Sequence, residues 1–449
     1  MGSGGLSARA APATETGEIA DLNHDGEGVI RAGKTAFVAG ALPGEQVRYQ
    51  RRRRHSQYDE AELLEILQPS PLRIKPPCPH FGLCGGCALQ HLAPESQLAI
   101  KQQQLQETLL RIGKVEPQQW FAPLAGPVWH YRRRARLGAR YVNKMGRSLV
   151  GFRERWGSYI AAIDSCEVLA RPVNALITPL SQLLTSLSIR ERIPQIEVAV
   201  ADDVTALVLR VLTPPAESDL QQLRQFEQVH GVRIYLQSGG LDTVTPLQGS
   251  APELSYALPE FGLQLQFLPS DFIQINAAVN RQLVARAVEL LQLDSQSKVL
   301  DLFCGLGNFT LALARRAAAV VGIEGEASLV ARARANAQRN GVDNVQFHVA
   351  NLFEQQSDAG WADAGFNHVL LDPPRAGALE LLPLLARLAP RRIVYVSCHP
   401  GTLARDLGLL VHEHGYRLSG AGVADMFPHT AHVESIAVLE RDLGENRRS

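Results

Sequence analysis

A cysteine follows a strongly apolar segment near the C-terminal end of the 449-residue chain. The segment from Ile393 to Val396 is β-branched or aromatic, which predicts a strand buried on both faces. Cys398 lies at the carboxyl end of that strand, and the residues after Gly401 predict a helix whose N-terminus would favour a thiolate over a thiol. A thiolate there is a candidate nucleophile. A packed core cysteine is the alternative, because free cysteines are often buried.

A loop earlier in the chain has the composition of a site for a nucleotide-like cofactor. It spans residues 301–310, follows a predicted strand, and contains Gly305 and Gly307, where a ligand can approach the backbone. Thr310 stands where a dinucleotide fingerprint requires a third glycine, so NAD is disfavoured. Glu324 ends the next strand about 20 residues on, where a carboxylate can accept both ribose hydroxyls, although a surface glutamate is the alternative.

These residues resemble the S-adenosylmethionine site of a class I methyltransferase. The segment Asp372-Pro373-Pro374-Arg375 ends a later strand, at the position where such enzymes hold the group to be methylated. Methyltransferases that act on exocyclic amines follow a similar Pro-Pro element with an aromatic residue that stacks on the base. Arg375 replaces that aromatic residue, which favours a carbon atom over a nitrogen as the methyl acceptor.

Methylation of carbon 5 of uracil would use both a nucleophile and a base. The ring carbon is a poor nucleophile until a thiolate adds at C6, and a base must later remove the C5 proton. Cys398 is the candidate nucleophile. Glu434, at the start of the final predicted strand, is the candidate base, with an exposed carboxylate at a strand end as the alternative.

The chain is long enough for about three domains. Short strands with glycine and proline punctuation predict a small OB-like β-barrel over residues 15–74. Residues 75–270 predict a mixed α+β domain, in which a helix over residues 94–113 is expected to pack on a neighbouring domain. Strands and helices alternate over residues 271–449, which predicts a Rossmann-like, doubly wound α/β domain.

Three cysteines are crowded together at Cys78, Cys84 and Cys87, beside two glycines that allow backbone N–H groups to turn toward the sulfurs. Cys166 is the best candidate for a fourth ligand, because the other two cysteines fall in the α/β domain. In a reducing compartment such a group indicates a metal site rather than disulfides. The spacing does not distinguish zinc from an iron-sulfur cluster.

The formal net charge is zero, but the arginines are clustered. Two clusters are candidates for RNA phosphate contacts, with a solvated charged face as the alternative. There is no apolar N-terminal signal segment and no run of about 18 apolar residues, so we expect a cytoplasmic protein without a membrane span. The RNA-binding candidates are Arg51, Arg52, Arg53, Arg54, Arg132, Arg133 and Arg134.

The sequence resembles the bacterial RNA uracil-C5 methyltransferases over nearly its whole length. The motifs that carry the resemblance are Ser397-Cys398-His399-Pro400, the final His432-Val433-Glu434, and Phe272-Ile273-Gln274-Ile275-Asn276. The resemblance implies that Cys398 is the nucleophile and Glu434 the base. It implies a [4Fe-4S] cluster on Cys78, Cys84, Cys87 and Cys166, and it places at the S-adenosylmethionine site Gln274, Phe303, Gly305, Asn308, Glu324, Asn351 and Asp372.

The N-terminal region resembles a TRAM domain, with His24-Asp25-Gly26-Glu27-Gly28 as its loop signature. A barrel together with a cysteine cluster favours the branch of the family that methylates 23S ribosomal RNA, before or during ribosome assembly, as a monomer. Another uridine of 23S rRNA, or transfer RNA, is the alternative substrate. An amine-directed methyltransferase is disfavoured by Arg375. A redox or RNA-binding module with an inert methyltransferase half is disfavoured by the intact candidate residues.

Overall fold

The computed structural model describes residues 14–354, 360–361 and 365–441. The chain forms two compact units. Of the described residues, one unit contains 14–97 and 429–432, and the other contains 98–354, 360–361, 365–428 and 433–441. In the described part of the chain no helix has both the length and the apolar character needed to cross a membrane.

The N-terminal unit is built on a six-stranded sheet with the strand order β1-β5-β6-β4-β3-β2. The pairs are antiparallel except for the parallel pair of β4 and β6. Its small core contains Ile19, Ile30, Val38, Val47 and Tyr49, which are almost fully buried. The strands are β1 (Thr14–Glu18), β2 (Asp21–Leu22), β3 (Gly28–Ile30), β4 (Ala36–Ala39), β5 (Gln46–Arg54) and β6 (Asp59–Gln68).

A second six-stranded sheet lies in the larger unit, with the order β13-β12-β11-β10-β8-β9. Its strands are β8 (Arg134–Val142), β9 (Arg147–Gly151), β10 (Gln195–Val200), β11 (Thr205–Arg210), β12 (Val232–Gln237) and β13 (Val244–Pro246). The helices of this region are α2 (Arg171–Asn174), α3 (Ile177–Ser186) and α4 (Glu217–His230). A separate hairpin consists of β14 (Leu254–Leu258) and β15 (Leu263–Phe267).

The third sheet has eight strands, in the order β18-β17-β16-β19-β20-β22-β21-β7. The five strands from β18 to β20 are parallel and wind outward in both directions from β16, which confirms the predicted doubly wound α/β organisation. The strands are β7 (Gln119–Trp120), β16 (Lys298–Leu302), β17 (Ala319–Glu324), β18 (Val345–Val349), β19 (His368–Leu371), β20 (Arg392–Ser397), β21 (Tyr416–Ala424) and β22 (Glu434–Arg441).

Helices join the strands of this sheet and flank it. They are α5 (Ala277–Leu291), α6 (Thr310–Ala314), α7 (Ala327–Arg339), α8 (Leu382–Leu388) and α9 (Pro400–His412). Single 3-10 turns lie at Asn143–Met145, Arg190–Arg192, Leu241–Thr243, Pro259–Phe261 and Leu379–Leu381.

An earlier helix, α1 (Pro94–Thr108), continues into a short π-helix (Leu109–Gly113). Leu105 and Leu109 are fully buried in the core of the α/β sheet. Gly113 packs against α9 so closely that a Cβ atom would lie 2.5 Å from the Ala404 carbonyl oxygen. This helix is therefore packed against the helix that follows Cys398.

Candidate active site

The pairing of β20 with β22 places Cys398 and Glu434 opposite each other. These strands are antiparallel, and their last paired residues are Ser397 and Ser435. Cys398 is one residue beyond the first and Glu434 one residue before the second, so the two face each other across the end of the ladder. The Ser435 hydroxyl donates a hydrogen bond to the Ser397 carbonyl oxygen at 3.1 Å, which holds the two strand ends together.

Asp372 joins this pair at the end of the neighbouring parallel strand. It directly follows β19, and its backbone N–H donates to the Leu302 carbonyl oxygen at 3.3 Å. Burial raises the pKa of Asp372. Glu434 is 3% exposed, and burial, followed by the charge of Asp372, raises its pKa well above the ordinary value. Two carboxyl groups thus lie in a site that disfavours their both being ionised.

The Cys398 thiol is protonated at neutral pH in this setting. Burial, then the carboxyl groups of Glu434 and Asp372, raise its pKa to about 11, while the Arg375 guanidinium lowers it. Helix α9 begins at Pro400 with His399 as its cap, so Cys398 lies just outside the first turn. The predicted preference for a thiolate is therefore outweighed by burial and by the two carboxyl groups.

The loop after β16 has the strained and open backbone expected of a cofactor site. Phe303 has a φ of +67°, a conformation that a bulky residue rarely adopts and that clusters at functional sites. Gly305 has a φ of +55°, and a Cβ atom added to it would meet nothing within 4 Å. The Gly305 N–H donates to Glu324 Oε2 at 3.1 Å, so the carboxylate predicted to bind the cofactor lies at the same loop.

Asp301 lies beneath this loop and is completely buried. Its Oδ2 accepts a hydrogen bond from the Thr310 hydroxyl at 2.5 Å, whereas its Oδ1 has no hydrogen-bond partner within the described residues. Burial raises its pKa to about 7, and the charges of Asp372 and Glu324 add to this effect. Thr310, which distinguishes the loop from a dinucleotide fingerprint, thus holds a buried acid in place.

Asn308 belongs to a chain of contacts that the sequence did not reveal. Its Oδ1 accepts hydrogen bonds from the Tyr256 hydroxyl at 2.9 Å and from Asn280 Nδ2 at 3.0 Å. The Arg133 guanidinium stacks on the Tyr256 ring, 4.5 Å from its centroid, and Arg133 Nε donates to the Gln274 carbonyl oxygen at 2.9 Å. Arg133 is 5% exposed, so this member of the predicted RNA-binding set contacts Gln274 directly, and Asn308 through Tyr256, both of which are predicted cofactor residues.

Asn351 lies at the rim of the same sheet edge, just after β18. It is exposed, and its side chain bonds Glu354 at 2.8 Å and the Phe353 N–H at 3.2 Å. Phe353 is 43% exposed, and its ring centroid lies 5.8 Å from that of Phe303. Sequence reasoning missed Phe353, although an aromatic residue two positions after a candidate ligand was a visible signal.

The other predicted RNA-binding arginines differ in their availability. Arg51 is tied inside the N-terminal unit by Glu15 and Asp59, at 2.9 and 2.8 Å. Arg52 and Arg53 pair with Glu62 and Glu60 at the surface.

In contrast, Arg54 is exposed and has no acidic partner within 4.0 Å in the described chain. In the larger unit, Arg132 lies over Phe152 at 5.8 Å, and Arg134 pairs with Glu197 at 2.9 Å. The exposed members of the two clusters are therefore Arg52, Arg53 and Arg54. In contrast, Arg51, Arg133 and Arg134 are largely buried and make contacts inside their units.

The predicted metal-binding cysteines occur in both units. Cys78, Cys84 and Cys87 lie in the N-terminal unit, and Cys166 lies in the larger one. The Gly86 N–H donates to Cys84 Sγ at 3.4 Å, as expected from the glycines beside the cysteines. Over residues 14–354, 360–361 and 365–441, no group of three or more His, Cys, Asp or Glu side chains is arranged to hold a metal ion.

One solved structure has an architecture similar to that of this chain. The chain superposes with a TM-score of 0.74 on the crystal structure of Pyrococcus abyssi tRNA (uracil-54, C5)-methyltransferase in complex with S-adenosyl-L-homocysteine. The sequences are 27% identical, and the match covers 94% of this chain and 99% of that one. The α/β unit therefore has the Rossmann-like fold of an S-adenosylmethionine-dependent methyltransferase.

Curated relatives extend the similarity over nearly the whole chain. One is the 23S rRNA (uracil(1939)-C(5))-methyltransferase RlmD of Alkalilimnicola ehrlichii, 51% identical over 426 residues, or 94% of this chain and 96% of the relative. The protein of the same name from Cupriavidus pinatubonensis is 52% identical over 428 residues, or 94% and 92%. A family model described as tRNA (Uracil-5-)-methyltransferase matches residues 93–442. The chain belongs to the tRNA (uracil-5-)-methyltransferase family.

Proposed function

We propose that this protein methylates carbon 5 of a specific uridine in 23S ribosomal RNA, with S-adenosylmethionine as the methyl donor. The observation that carries the proposal is the placement of Cys398 opposite Glu434, with Asp372 on the neighbouring strand end. The identity to relatives that bear this activity in their name supports the choice of substrate.

Cys398 is the nucleophile of the proposed reaction. Its sulfur adds to C6 of the uracil, which places an electron pair at C5. Because the thiol is protonated at neutral pH, it first loses its proton to water, and the thiolate then forms the carbon–sulfur bond. Arg375, whose charge favours the thiolate, offsets part of the effect of the two carboxyl groups.

Glu434 completes the reaction as the general base. After methylation it takes the C5 proton, and the electron pair of that C–H bond re-forms the C5–C6 double bond as the Cys398 sulfur leaves. A buried carboxylate with a raised pKa is a stronger base than an exposed one, which suits removal of a carbon-bound proton. The methyl donor leaves as S-adenosylhomocysteine, and the other products are 5-methyluracil, the Cys398 thiolate and a protonated Glu434.

The residues at the β16 loop fit the methyl donor. S-adenosylmethionine supplies an electrophilic methyl group when bound. Gly305 leaves open space above the loop, and Glu324 at the end of β17 can accept the ribose hydroxyls. The remaining proposed contacts are Gln274, Phe303, Asn308, Asn351 and Asp372.

Covalent trapping tests this function. The protein is incubated with S-adenosylmethionine and a 23S rRNA fragment that contains 5-fluorouracil. A denaturant-stable protein–RNA adduct should form, because fluorine replaces the C5 hydrogen and leaves the base no proton to remove. Cys398→Ser should give none, because a serine hydroxyl is a much weaker nucleophile than a cysteine thiolate. Absence of the adduct with the unaltered protein would remove the C6-addition mechanism.

Transfer RNA is the second candidate substrate. The structural similarity to an enzyme named for uracil 54 of tRNA favours it. Labelled S-adenosylmethionine, offered with 23S rRNA fragments and with tRNA, followed by mapping of the modified base, decides between the two. Exclusive labelling of tRNA would contradict the rRNA assignment.

The N-terminal unit is proposed to be a TRAM-type RNA-binding domain over residues 15–74. Its exposed arginines Arg52, Arg53 and Arg54 support this role. In the central domain over residues 75–270, the proposed RNA contacts are Arg132 and Arg134. The catalytic domain would span residues 271–449. The proposed enzyme acts in the cytoplasm as a monomer, before or during ribosome assembly.

A [4Fe-4S] cluster on Cys78, Cys84, Cys87 and Cys166 is part of the proposal. The Gly86 N–H directed at the Cys84 sulfur supports it, since thiolates of such clusters accept backbone hydrogen bonds. No step of the methyl transfer uses electrons from it. Anaerobic purification should give a brown protein with about four irons per chain. A colourless protein containing zinc would contradict the cluster.

A further inference from the structure

The loop that begins at Asp372 is bound along its length to α9, the helix that follows Cys398. The hydrogen bonds described here come from one face of the helix, formed by residues 402, 405 and 406. Three hydrogen bonds join the two elements, from Thr402 Oγ1 to the Arg375 carbonyl oxygen (3.1 Å), from Arg405 Nη2 to the Ala376 carbonyl oxygen (3.0 Å), and from the Ala378 N–H to Asp406 Oδ2 (2.8 Å).

Asp406 is the centre of this arrangement. It is completely buried, and besides the Ala378 N–H it accepts a hydrogen bond from the Tyr395 hydroxyl at 2.7 Å and one from Arg405 Nε at 2.8 Å. Tyr395 lies in β20, three residues before Cys398. One carboxylate therefore joins the strand before the thiol, the helix after it, and the loop that follows Asp372.

Close packing at Gly377 shows that the loop lies directly against the helix. Gly377 has a φ of +82°, and a Cβ atom there would lie 2.6 Å from Asp406 Oδ2 and 3.0 Å from the Thr402 Cβ. A residue with a side chain would have to push the loop away from α9.

This contact matters because the loop carries two of the charges that surround the thiol. Asp372 at its start and Arg375 in its middle act on Cys398 with opposite sign. A shift of the loop relative to α9 changes both distances, and catalytic geometry tolerates only small displacements.

We propose that Asp406 is a positioning residue for methyl transfer, which holds the Asp372–Ala378 loop against α9 and thereby fixes Asp372 and Arg375 relative to the Cys398 sulfur. The inference rests on the proposed function for its link to methylation, but the placement of the two charges around the thiol can be tested without it. Asp406 does not touch the substrate, and its effect passes through the loop.

A carboxylate that only supports the fold would lower stability without altering the environment of Cys398. Asp219 provides the matched control. It is 1% exposed, accepts hydrogen bonds from Ser188 and Ala216, and lies on α4 in the other sheet region of the same unit. Asp406→Asn and Asp219→Asn therefore each replace one almost completely buried carboxyl group by an amide.

The first readout is alkylation of Cys398 by iodoacetamide as a function of pH, followed by mass spectrometry of its peptide. We expect Asp406→Asn to shift the midpoint of the profile from that of the unaltered protein, and Asp219→Asn to leave it in place. Gly377→Ala, which retains Asp406 but displaces the loop, should shift it in the same way. A profile for Asp406→Asn that matches the one for Asp219→Asn would overturn the inference.

The second readout is the rate of adduct formation with 5-fluorouracil RNA. We expect Asp406→Asn to lower it about 10- to 100-fold, with the KM for S-adenosylmethionine changed much less. If Asp406→Asn does not fold, Tyr395→Phe removes one hydrogen bond to Asp406 and should give a smaller shift of the same kind. Failure of the unaltered protein to form the adduct would remove the proposed function, while the alkylation profiles would still decide the role of Asp406.

Discussion

At the scale of single residues, the candidate site places a thiol beside two buried carboxyl groups, and the charge of Asp372 raises the pKa of Glu434. Such a group of acids is costly for folding, because each carboxyl must lose hydration in a partly closed site. Perturbed pKa values of this kind cluster at functional sites, where they suit groups to proton transfer. Cys398, Glu434 and Asp372 therefore predict pH-dependent behaviour that can be measured directly.

Replacement of Glu434 by Gln should lower the pKa of Cys398. The Glu434 carboxylate raises that pKa, so a neutral amide removes a charge that opposes the thiolate. The difference in Cys398 alkylation between the variant and the unaltered protein should grow as pH rises, because the raised pKa of Glu434 keeps this side chain neutral at lower pH. The pH profile of Cys398 alkylation checks this, with a midpoint below the value of about 11 for the unaltered protein. An unchanged or higher midpoint would show that Glu434 does not act on the thiol.

Asp301→Asn should stabilise the protein at alkaline pH. The pKa of Asp301 is raised to about 7 in the folded state, above the ordinary 3.8, so its stabilising protonated form is lost as pH rises through 7. Asn keeps an acceptor for Thr310 without the charge. We expect a gain in the free energy of unfolding on the order of 1–3 kcal/mol at pH 8 and a smaller one at pH 4. Urea unfolding at both pH values measures it, and an equal effect at both would contradict the assignment.

At the scale of elements, two helices are joined to the segments that carry the catalytic residues. Helix α9 begins directly after Cys398, where His399 Nδ1 accepts the Thr402 N–H at 3.2 Å. Helix α1 holds the turn after β21, where Lys101 Nζ donates to Asp425 at 2.7 Å and to the Phe427 carbonyl oxygen at 2.9 Å.

The cap at His399 should be replaceable by Asn but not by Ala. Asn is among the best N-cap residues, whereas Ala leaves the first-turn N–H groups without an acceptor. His399→Ala should cost about 1 kcal/mol of stability, and His399→Asn little or nothing. Thermal unfolding of the two variants measures the difference. Equal loss in both would mean that the imidazole acts through packing rather than as a cap.

The Lys101–Asp425 pair should be strongly coupled. Both side chains are at least 95% buried, so Lys101→Met leaves an uncompensated carboxylate and should cost about 3–5 kcal/mol. The double variant Lys101→Met, Asp425→Leu should recover much of that loss. Arg224→Ala, which breaks an exposed pair with Glu217, should cost at most about 1 kcal/mol. Additive losses in a double-mutant cycle would contradict the coupling.

At the scale of the whole molecule, the net charge is zero, and the N-terminal unit contains a local run of four consecutive arginines, Arg51 to Arg54. Their pairing differs, since Arg51 stabilises the sheet through Glu15 and Asp59 while Arg54 is exposed. RNA binding by this unit would therefore depend on the arginines at the end of β5 rather than on the whole cluster.

Arg54→Ala should weaken RNA binding in a salt-dependent manner. Each phosphate contact contributes about 0.7 to the slope of log affinity against log salt for single-stranded RNA, so the slope should fall by about that amount. Filter binding over a salt series measures it. Arg224→Ala, an exposed arginine of α4, serves as the control and should leave the slope unchanged. Equal slopes for the two variants would remove Arg54 from the interface.

The sequence alone determined the local elements of the α/β unit and the candidate positions for chemistry. The predicted strand over 298–303 is observed as Lys298–Leu302, and the predicted helix over 327–340 as Ala327–Arg339. This was possible because hydrophobic periodicity and strand ends are local features. The candidates Cys398 and Asp372 could therefore be identified before any contact was known.

Only the tertiary structure decided which of these residues meet. The antiparallel register of β20 and β22 brings Glu434 opposite Cys398, although 36 residues separate them along the chain. Arg133 is buried against Tyr256, and Asp406 joins a strand, a helix and a loop. Burial and pairing depend on contacts between residues that are distant in sequence, and composition and spacing do not specify those contacts.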